Sequence, residues 1–354
     1  MSIKVLVVDD SAFMRKAIEN MLKKESNIEI VGFARNGIEA IDMVQKLKPD
    51  IITLDIEMPQ MDGLTALRKI LEIAPIPVIM VSSLTTEGAE ATLKALEIGA
   101  VDFIPKDKSF ASLGIMKIED QLIEKIKTFA GRRIIAKAPA TRPFTPSPAQ
   151  ATVSSAPKRA GVFNGNKKVV AIGTSTGGPQ SLQRVIPKLT KDLNRPVFIV
   201  QHMPPNFTKS LATRLNAMSQ LEVIEVEGKE KVEPNVVYIA KGGFHLKIKK
   251  VGTNYYIETS TEPSNVLHIP SVDVMTASVA ENYGADALGV IMTGMGSDGL
   301  NGLRKLKERG GAVIAQDKDS CVVYGMPRAV VEAGIADEVV PLDDIASQIM
   351  RYCK

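Results

Sequence analysis

A serine, a histidine and an aspartate, each in a loop beyond a strand pattern, could together hydrolyse an ester. Ser175 stands in AIGTSTGGPQ (171–180), and KKVVAI (167–172) reads as a buried strand leading into it. Gly173-Thr174-Ser175-Thr176-Gly177 matches G-x-S-x-G, a pattern that holds a hydroxyl out on a tight strand-to-helix turn. Pro179 suits the first turn of the helix that follows, where its missing N–H leaves nothing unpaired. Free N–H groups at that helix end favour developing negative charge. The same glycines could cradle a phosphate, but the residue types disagree. No Lys follows Gly177-Gly178 as a P-loop requires, and Gly173 and Gly177 are spaced wrongly for G-x-G-x-x-G.

A nucleophilic serine needs a base, and the chain has 3 histidines. His202 follows PVFIVQ (196–201) and so shares with Ser175 a place just past a strand's end. His245 opens HLKIKKVGTNYYIE, and His268 lies in NVLHIPSVD. The base in turn needs an orienting partner. Asp298, in the glycine-rich loop of ALGVIMTGMGSDG, is the leading candidate, with capping of the following helical segment as its structural alternative. Asp273 and Asp286 are rivals that follow no strand end. The order Ser…His…Asp departs from the Ser…Asp/Glu…His of α/β-hydrolases, so an ordinary esterase of that fold is not indicated.

A second constellation lies near the N-terminus. Asp9 and Asp10 follow IKVLVV (3–8), Asp55 follows DIITL (50–54), Ser82 and Ser83 follow PVIMV (77–81), and Lys106 follows VDFIP (101–105). Three carboxylates on one rim repel each other unless a cation holds them. With no His or Cys among them, a hard ion such as Mg²⁺ fits. A lysine beside them suits a further anion such as a phosphoryl group. Taken singly, Asp10 or Ser11 could cap the first helix, and Lys106 could be a solvated rim residue.

Two sets of elements must position these groups. Over residues 3–105 five apolar β-branched runs, including IEIVGFA (28–34), alternate with amphipathic segments such as AFMRKAIENMLKK (12–24) and GIEAIDMVQKL (37–47). This predicts a doubly wound parallel α/β sheet, whose functional edge is formed by the C-terminal ends of its strands. From 167 to 354 a second, mostly parallel α/β pattern runs through KKVVAI, PVFIV, LEVIEV (221–226), VVYIA (236–240), ALGVIM (287–292) and GAVIA (311–315). An antiparallel hairpin is expected over 245–258. Between the two, residues 131–166 carry 5 prolines, 6 basic and no acidic side chains, the composition of an extended linker.

Composition limits the alternatives. The 354 residues, 45% hydrophobic and 24% charged, suit two globular domains. Residues 1–130 carry 16 basic and 20 acidic side chains and residues 167–354 carry 22 and 20, so the net charge of +4 comes from the linker and neither domain is built for nucleic acid. The opening MSIKVLVVDD is no signal segment and no apolar run reaches membrane-spanning length, giving a cytoplasmic protein without membrane insertion as the expectation. Cys321 and Cys353 lack metal-ligand spacing and read as incidental thiols.

The pieces LVVDDSAFMR, TLDIEMPQMDG, MVSS and GAVDFIPK closely resemble a response-regulator receiver domain of flavodoxin-like fold. That resemblance implies that Asp55 accepts a phosphoryl group, and that Asp10, Asp55 and the Glu57 carbonyl hold Mg²⁺ with Asp9 assisting through water. It further implies that Ser82 and Lys106 bind phosphoryl oxygens and that Phe103 is the switch aromatic. Together with GTSTGGP, QHMPPNFT, PSVDVM and MTGMGSDG, the chain resembles the bacterial chemotaxis protein-glutamate methylesterases over essentially its whole length. This implies Ser175 as nucleophile, His202 as base, Asp298 as orienter, Thr176 beside the nucleophile and the Met295 N–H in the oxyanion hole. The implied substrates are glutamyl methyl esters, and selected glutamines, on chemoreceptors; the implied phosphodonor is a sensor histidine kinase. No cofactor is expected in the esterase site. Against a receiver-controlled DNA-binding regulator stand the near-neutral charge and the α/β pattern of residues 167–354.

Overall fold

The computed structural model describes residues 2–106, 115–131 and 165–354. Most of the stretch expected as a linker, 131–166, lies outside the described residues. The first domain alternates β1 (Ile3–Val8), α1 (Ala12–Leu22), β2 (Ile28–Ala34), α2 (Gly37–Leu47), β3 (Ile51–Asp55), α3 (Gly63–Ile73), β4 (Val78–Ser83), α4 (Thr86–Ile98), β5 (Asp102–Lys106) and α5 (Ile115–Phe129). Its five strands pair in parallel in the order β2-β1-β3-β4-β5. Helices cover both faces, so central strands such as IITLD are buried along their whole length and read as continuous apolar runs. Ser11, rather than Asp10, caps α1 by accepting from the Met14 N–H.

The second domain begins with β6 (Val169–Thr174), α6 (Gly178–Val185), β7 (Val197–Gln201), α7 (Phe207–Met218), β8 (Glu222–Glu225) and β9 (Val236–Ile239). The hairpin β10 (His245–Val251) and β11 (Asn254–Ser260) follows, antiparallel as expected, and forms a sheet of its own apart from the main one. The chain then runs α8 (Val272–Tyr283), β12 (Ala287–Ile291), α9 (Leu300–Glu308), β13 (Ala312–Gln316), α10 (Met326–Glu332), β14 (Glu338–Val340) and α11 (Ile345–Cys353). Seven parallel strands form the sheet β14-β13-β12-β6-β7-β9-β8. The short edge strand β14 carries no apolar run that would mark it in the sequence.

Each sheet has a switch point from which strands are added toward opposite edges, and ligand sites of such sheets lie outside the strand ends there. In the first it falls between β1 and β3, which end beside Asp9 and at Asp55. In the second it falls between β6 and β12, which lead to Ser175 and to the loop carrying Asp298.

The two domains touch along α4 and β5 of the first. Phe103 of β5 stacks on Phe207 of α7, with ring centroids 4.8 Å apart and planes 3° from parallel. The Gln180 side chain donates to the Leu96 carbonyl at 2.8 Å and the Asn206 side chain to the Leu84 carbonyl at 2.8 Å. Arg214 pairs with Glu97.

Candidate active site

At the first sheet's switch point, ligand oxygens of Asp9, Asp10 and Asp55 lie within 4.8 Å of one another. Lys106 Nζ bridges Asp9 Oδ2 at 2.9 Å and Asp55 Oδ2 at 2.7 Å. Burial, and then the charge of Asp9, push the Asp55 carboxyl up to about 6 although Lys106 opposes the change. Burial would lower the Lys106 pKa, but the two carboxylates outweigh it and raise it. One lysine therefore leaves an excess of negative charge on an all-oxygen donor set, the composition that a hard divalent cation fits. Ser82, fully buried, donates to the Gly88 carbonyl at 3.0 Å. Glu57 is exposed, and its N–H donates weakly to Asp55 Oδ1 at 3.4 Å.

In the second domain Ser175 follows β6 directly. Gly177 takes φ +76°, a conformation open to glycine, and Pro179 enters the first turn of α6 as its missing N–H predicts. The Ser175 N–H donates to the Thr293 carbonyl at 3.0 Å, tying the serine to the loop after β12. Gly294 permits that approach, since a Cβ at this position would come within 2.8 Å of Ser175 Cβ. His202 follows β7 directly, and its N–H donates to the Thr174 carbonyl at 3.1 Å.

His202 Nε2 lies 2.7 Å from Asp298 Oδ2. Its Nδ1 is buried and has no hydrogen-bond partner among the described residues. Asp298 is seated on the first turn of α8, accepting from the Val272 N–H at 2.7 Å, the Asp273 N–H at 3.0 Å and the Ser271 hydroxyl at 2.9 Å. Burial alone would raise its pKa. The His202 hydrogen bond and charge, followed by the N–H groups of Asp273 and Val272, reverse this and hold it well below the usual carboxylate range. Asp298 thus caps α8 rather than α9. Asp273 does the reciprocal service, accepting from the Gly302 N–H of α9 at 2.8 Å, while Asp286 pairs with Lys168 at 2.7 Å. Of the three aspartates weighed from sequence, the structure brings Asp298 to a histidine.

Ser175, His202 and Met295 line a cavity of about 390 Å³ whose opposite wall is Asp102, Phe103 and Glu124 of the first domain. Thr176, beside Ser175, donates its hydroxyl to Asp102 Oδ2 at 2.8 Å, and Lys125 Nζ holds the same oxygen at 2.5 Å. The Met295 N–H finds no acceptor among the described residues. Burial pushes the Cys321 thiol up to about 12 and the Cys353 thiol up to about 11, so neither competes as a nucleophile.

A family model described as CheB methylesterase matches residues 170–349, and one described as a response regulator receiver domain matches residues 5–116. The chain belongs to the CheB methylesterase family. Among relatives, the protein-glutamate methylesterase/protein-glutamine glutaminase 1 of Oleidesulfovibrio alaskensis is 49% identical over 364 aligned positions, covering 99% of each chain. The protein of the same activity name from Bacillus subtilis is 46% identical, again over 99% of each chain. The crystal structure of the Thermotoga maritima CheB methylesterase catalytic domain matches with a TM-score of 0.51 at 46% identity, covering 53% of this chain and 98% of that one.

Residues missed from sequence hold this CheB-family site together. Gln201, 2% exposed, donates through Nε2 to the carbonyls of Ser175 at 3.0 Å and His202 at 3.1 Å. Thr293 is fully buried; its N–H donates to Gln316 Oε1 at 2.8 Å and its hydroxyl to the Thr176 carbonyl at 2.9 Å. The available signal was a polar side chain at the end of an otherwise apolar strand, as in PVFIVQ and ALGVIMT. A buried polar group is hydrogen-bonded to something, and here it is bonded to the site.

Proposed function

We propose that this chain is a protein-glutamate methylesterase and protein-glutamine glutaminase acting on chemoreceptors, with Ser175 as nucleophile, His202 as general base and Asp298 as its orienter. The observation that carries this reading is the His202–Asp298 pair, held on a loop that Gly294 brings against Ser175. Ser175 Oγ attacks the ester carbonyl and gives its proton to His202. Because Nε2 faces Asp298, Nδ1 is the ring nitrogen left for this exchange. The tetrahedral oxyanion forms near the Met295 N–H, with Thr176 alongside. His202 then protonates the departing methoxide, and methanol leaves. Water, deprotonated by His202, attacks the acyl-serine, and the C–O bond breaks to release glutamate and restore the Ser175 hydroxyl. With a glutamine side chain the same steps release ammonia.

In the receiver domain Asp55 takes a phosphoryl group from a sensor histidine kinase. Asp10, Asp55 and the Glu57 carbonyl are suited to hold Mg²⁺, with Asp9 acting through water; when bound, it neutralises charge spreading over the phosphoryl oxygens. Lys106 and the Ser82 hydroxyl bind those oxygens. One strand supports a link between the sites. Lys106, at the end of β5, pairs with Asp55, and Asp102, at its start, accepts from Thr176 beside the nucleophile. In the unphosphorylated chain the receiver covers the Ser175 cleft, and phosphorylation, by drawing Ser82 and the Phe103 region into a second arrangement, loosens that cover. Incubation with methyl-labelled receptor membranes tests the activity. Ser175→Ala should abolish methanol release in a folded protein, and near wild-type turnover by that variant would overturn the assignment.

A further inference from the structure

His245 is 0% exposed, yet both of its ring nitrogens are engaged. Nδ1 lies 3.1 Å from the backbone nitrogen of Ser271, an N–H donor, so Nδ1 must present a lone pair. Nε2 lies 3.1 Å from the Pro263 carbonyl oxygen, so Nε2 must carry the proton. The tautomer is fixed from both sides and the ring is neutral; a second proton on Nδ1 would set donor against donor. Burial holds its pKa below the usual histidine value, and Lys247 acts in the same sense. The Pro263 carbonyl and the charges of Asp298 and Glu262 act against it.

Ser271 is where this ring meets the triad. It is the N-cap of α8, its hydroxyl accepting from the Val274 N–H at 3.4 Å and donating to Asp298 Oδ1 at 2.9 Å. The next two N–H groups of the same turn, Val272 and Asp273, also end on the Asp298 carboxylate. The first turn of α8 is thus the seat of Asp298, and His245 grips its leading residue from inside the core. A second tie runs the same way, from the Gly243 N–H to the Ile269 carbonyl at 3.2 Å.

We propose that His245 is a positioning residue of the esterase site: its neutral ring fixes Ser271, and through it the seat of Asp298 and the aim of the His202 imidazole. This rests on the assignment of Ser175, His202 and Asp298 given above. A histidine that merely filled the core would affect stability alone. A positioning residue affects kcat with little change in KM, because His202 acts in the chemical step.

The test uses the full chain, activated with acetyl phosphate and Mg²⁺, and methanol release from methylated receptor membranes. His245→Phe keeps the ring shape and loses both hydrogen bonds; its kcat should fall by about tenfold to a hundredfold, the scale on which small misplacements act. Its KM should stay within about twofold. His245→Asn places a side-chain oxygen near the site of Nδ1 and should recover most of the lost kcat. Wild-type kcat in His245→Phe overturns the proposal, as does an Asn variant as impaired as the Phe variant. If circular dichroism shows His245→Phe unfolded, Ser271→Ala breaks the same chain one link further on and should give the same loss of kcat at little-changed KM; wild-type behaviour there overturns it equally. Ser175→Ala, assayed alongside, separates the two levels, since activity in that variant defeats the triad assignment rather than the role of His245.

Discussion

Asp55 and Asp298 are both aspartates near the switch point of a doubly wound sheet, and both are largely buried, yet their surroundings drive them in opposite directions. Asp55 shares its site with the carboxylates of Asp9 and Asp10, and one lysine serves the rim. Its pKa rises to about 6. Asp298 sits on three donors of the α8 turn and faces a histidine, and its pKa falls. Burial acts alike on both; the balance of donors against like charges decides the outcome. A carboxylate ringed by carboxylates suits the cation and the phosphoryl group proposed for it. One ringed by N–H donors is prepared to stay ionised and hold an imidazole in place.

The largest contrast should come from the same substitution at the two sites. Asp298→Asn keeps the shape but disfavours the productive His202 tautomer, and should lower kcat by up to about 10⁴-fold. Asp55→Asn should leave methanol release at the level of unphosphorylated wild type and abolish its stimulation by acetyl phosphate. A loss of less than tenfold in Asp298→Asn would count against Asp298 as the orienter and point to Asp273 or Asp286, or to a dyad.

A smaller effect is expected at the contact between the sites. Phe207→Ala removes the stack on Phe103, worth about 0.5–1.5 kcal/mol beyond its area, and should raise the unphosphorylated rate by roughly twofold to tenfold. No rise would mean that this contact does not contribute to covering the cleft.

The pH dependence of stability sharpens the comparison further. Because the folded pKa of Asp55 lies above its ordinary value, the folded state binds the proton more tightly, and stability falls as pH rises from about 4 through about 6. Asp55→Asn should therefore stabilise the receiver at pH 7.5, by at most about 3 kcal/mol, and by almost nothing below pH 4. Urea unfolding at the two pH values measures it. Asp298, with its lowered pKa, has the opposite sign: it contributes stability above the ordinary aspartate range that is lost as pH falls below it. The least change should be the gain in melting temperature on adding Mg²⁺, greater at pH 7.5 than at pH 5 and reduced in Asp55→Asn. An equal gain at both pH values would argue against binding by the ionised rim.

Much of the strand framework was legible because parallel strands buried on both faces leave unbroken apolar runs, as KKVVAI and ALGVIM do. The rim residues followed, since the fold type places strand ends together. The partner of His202 was less so: a glycine-rich loop past a strand end set Asp298 ahead of Asp273 and Asp286, but what seats it beside the histidine is the turn of α8, which arrives from 26 residues away. Gln201 and Thr293 were passed over because a single polar residue at a strand end looks like the start of a loop. The face between the domains was not legible: resemblance marked Phe103 as a switch aromatic, but nothing in the sequence pairs it with Phe207, on which it stacks.

The central claim is that the rim at Asp55 controls the cleft at Ser175. The most direct test is the initial rate of methanol release from methylated receptor membranes by the full chain, with and without acetyl phosphate in Mg²⁺. If closed molecules outnumber open ones by about 100 to 1, full reversal needs a differential of roughly 5.5 kcal/mol, and the rate should rise nearly a hundredfold. A rise that saturates with the phosphodonor is the expected result; equal rates in the two conditions would contradict the claim.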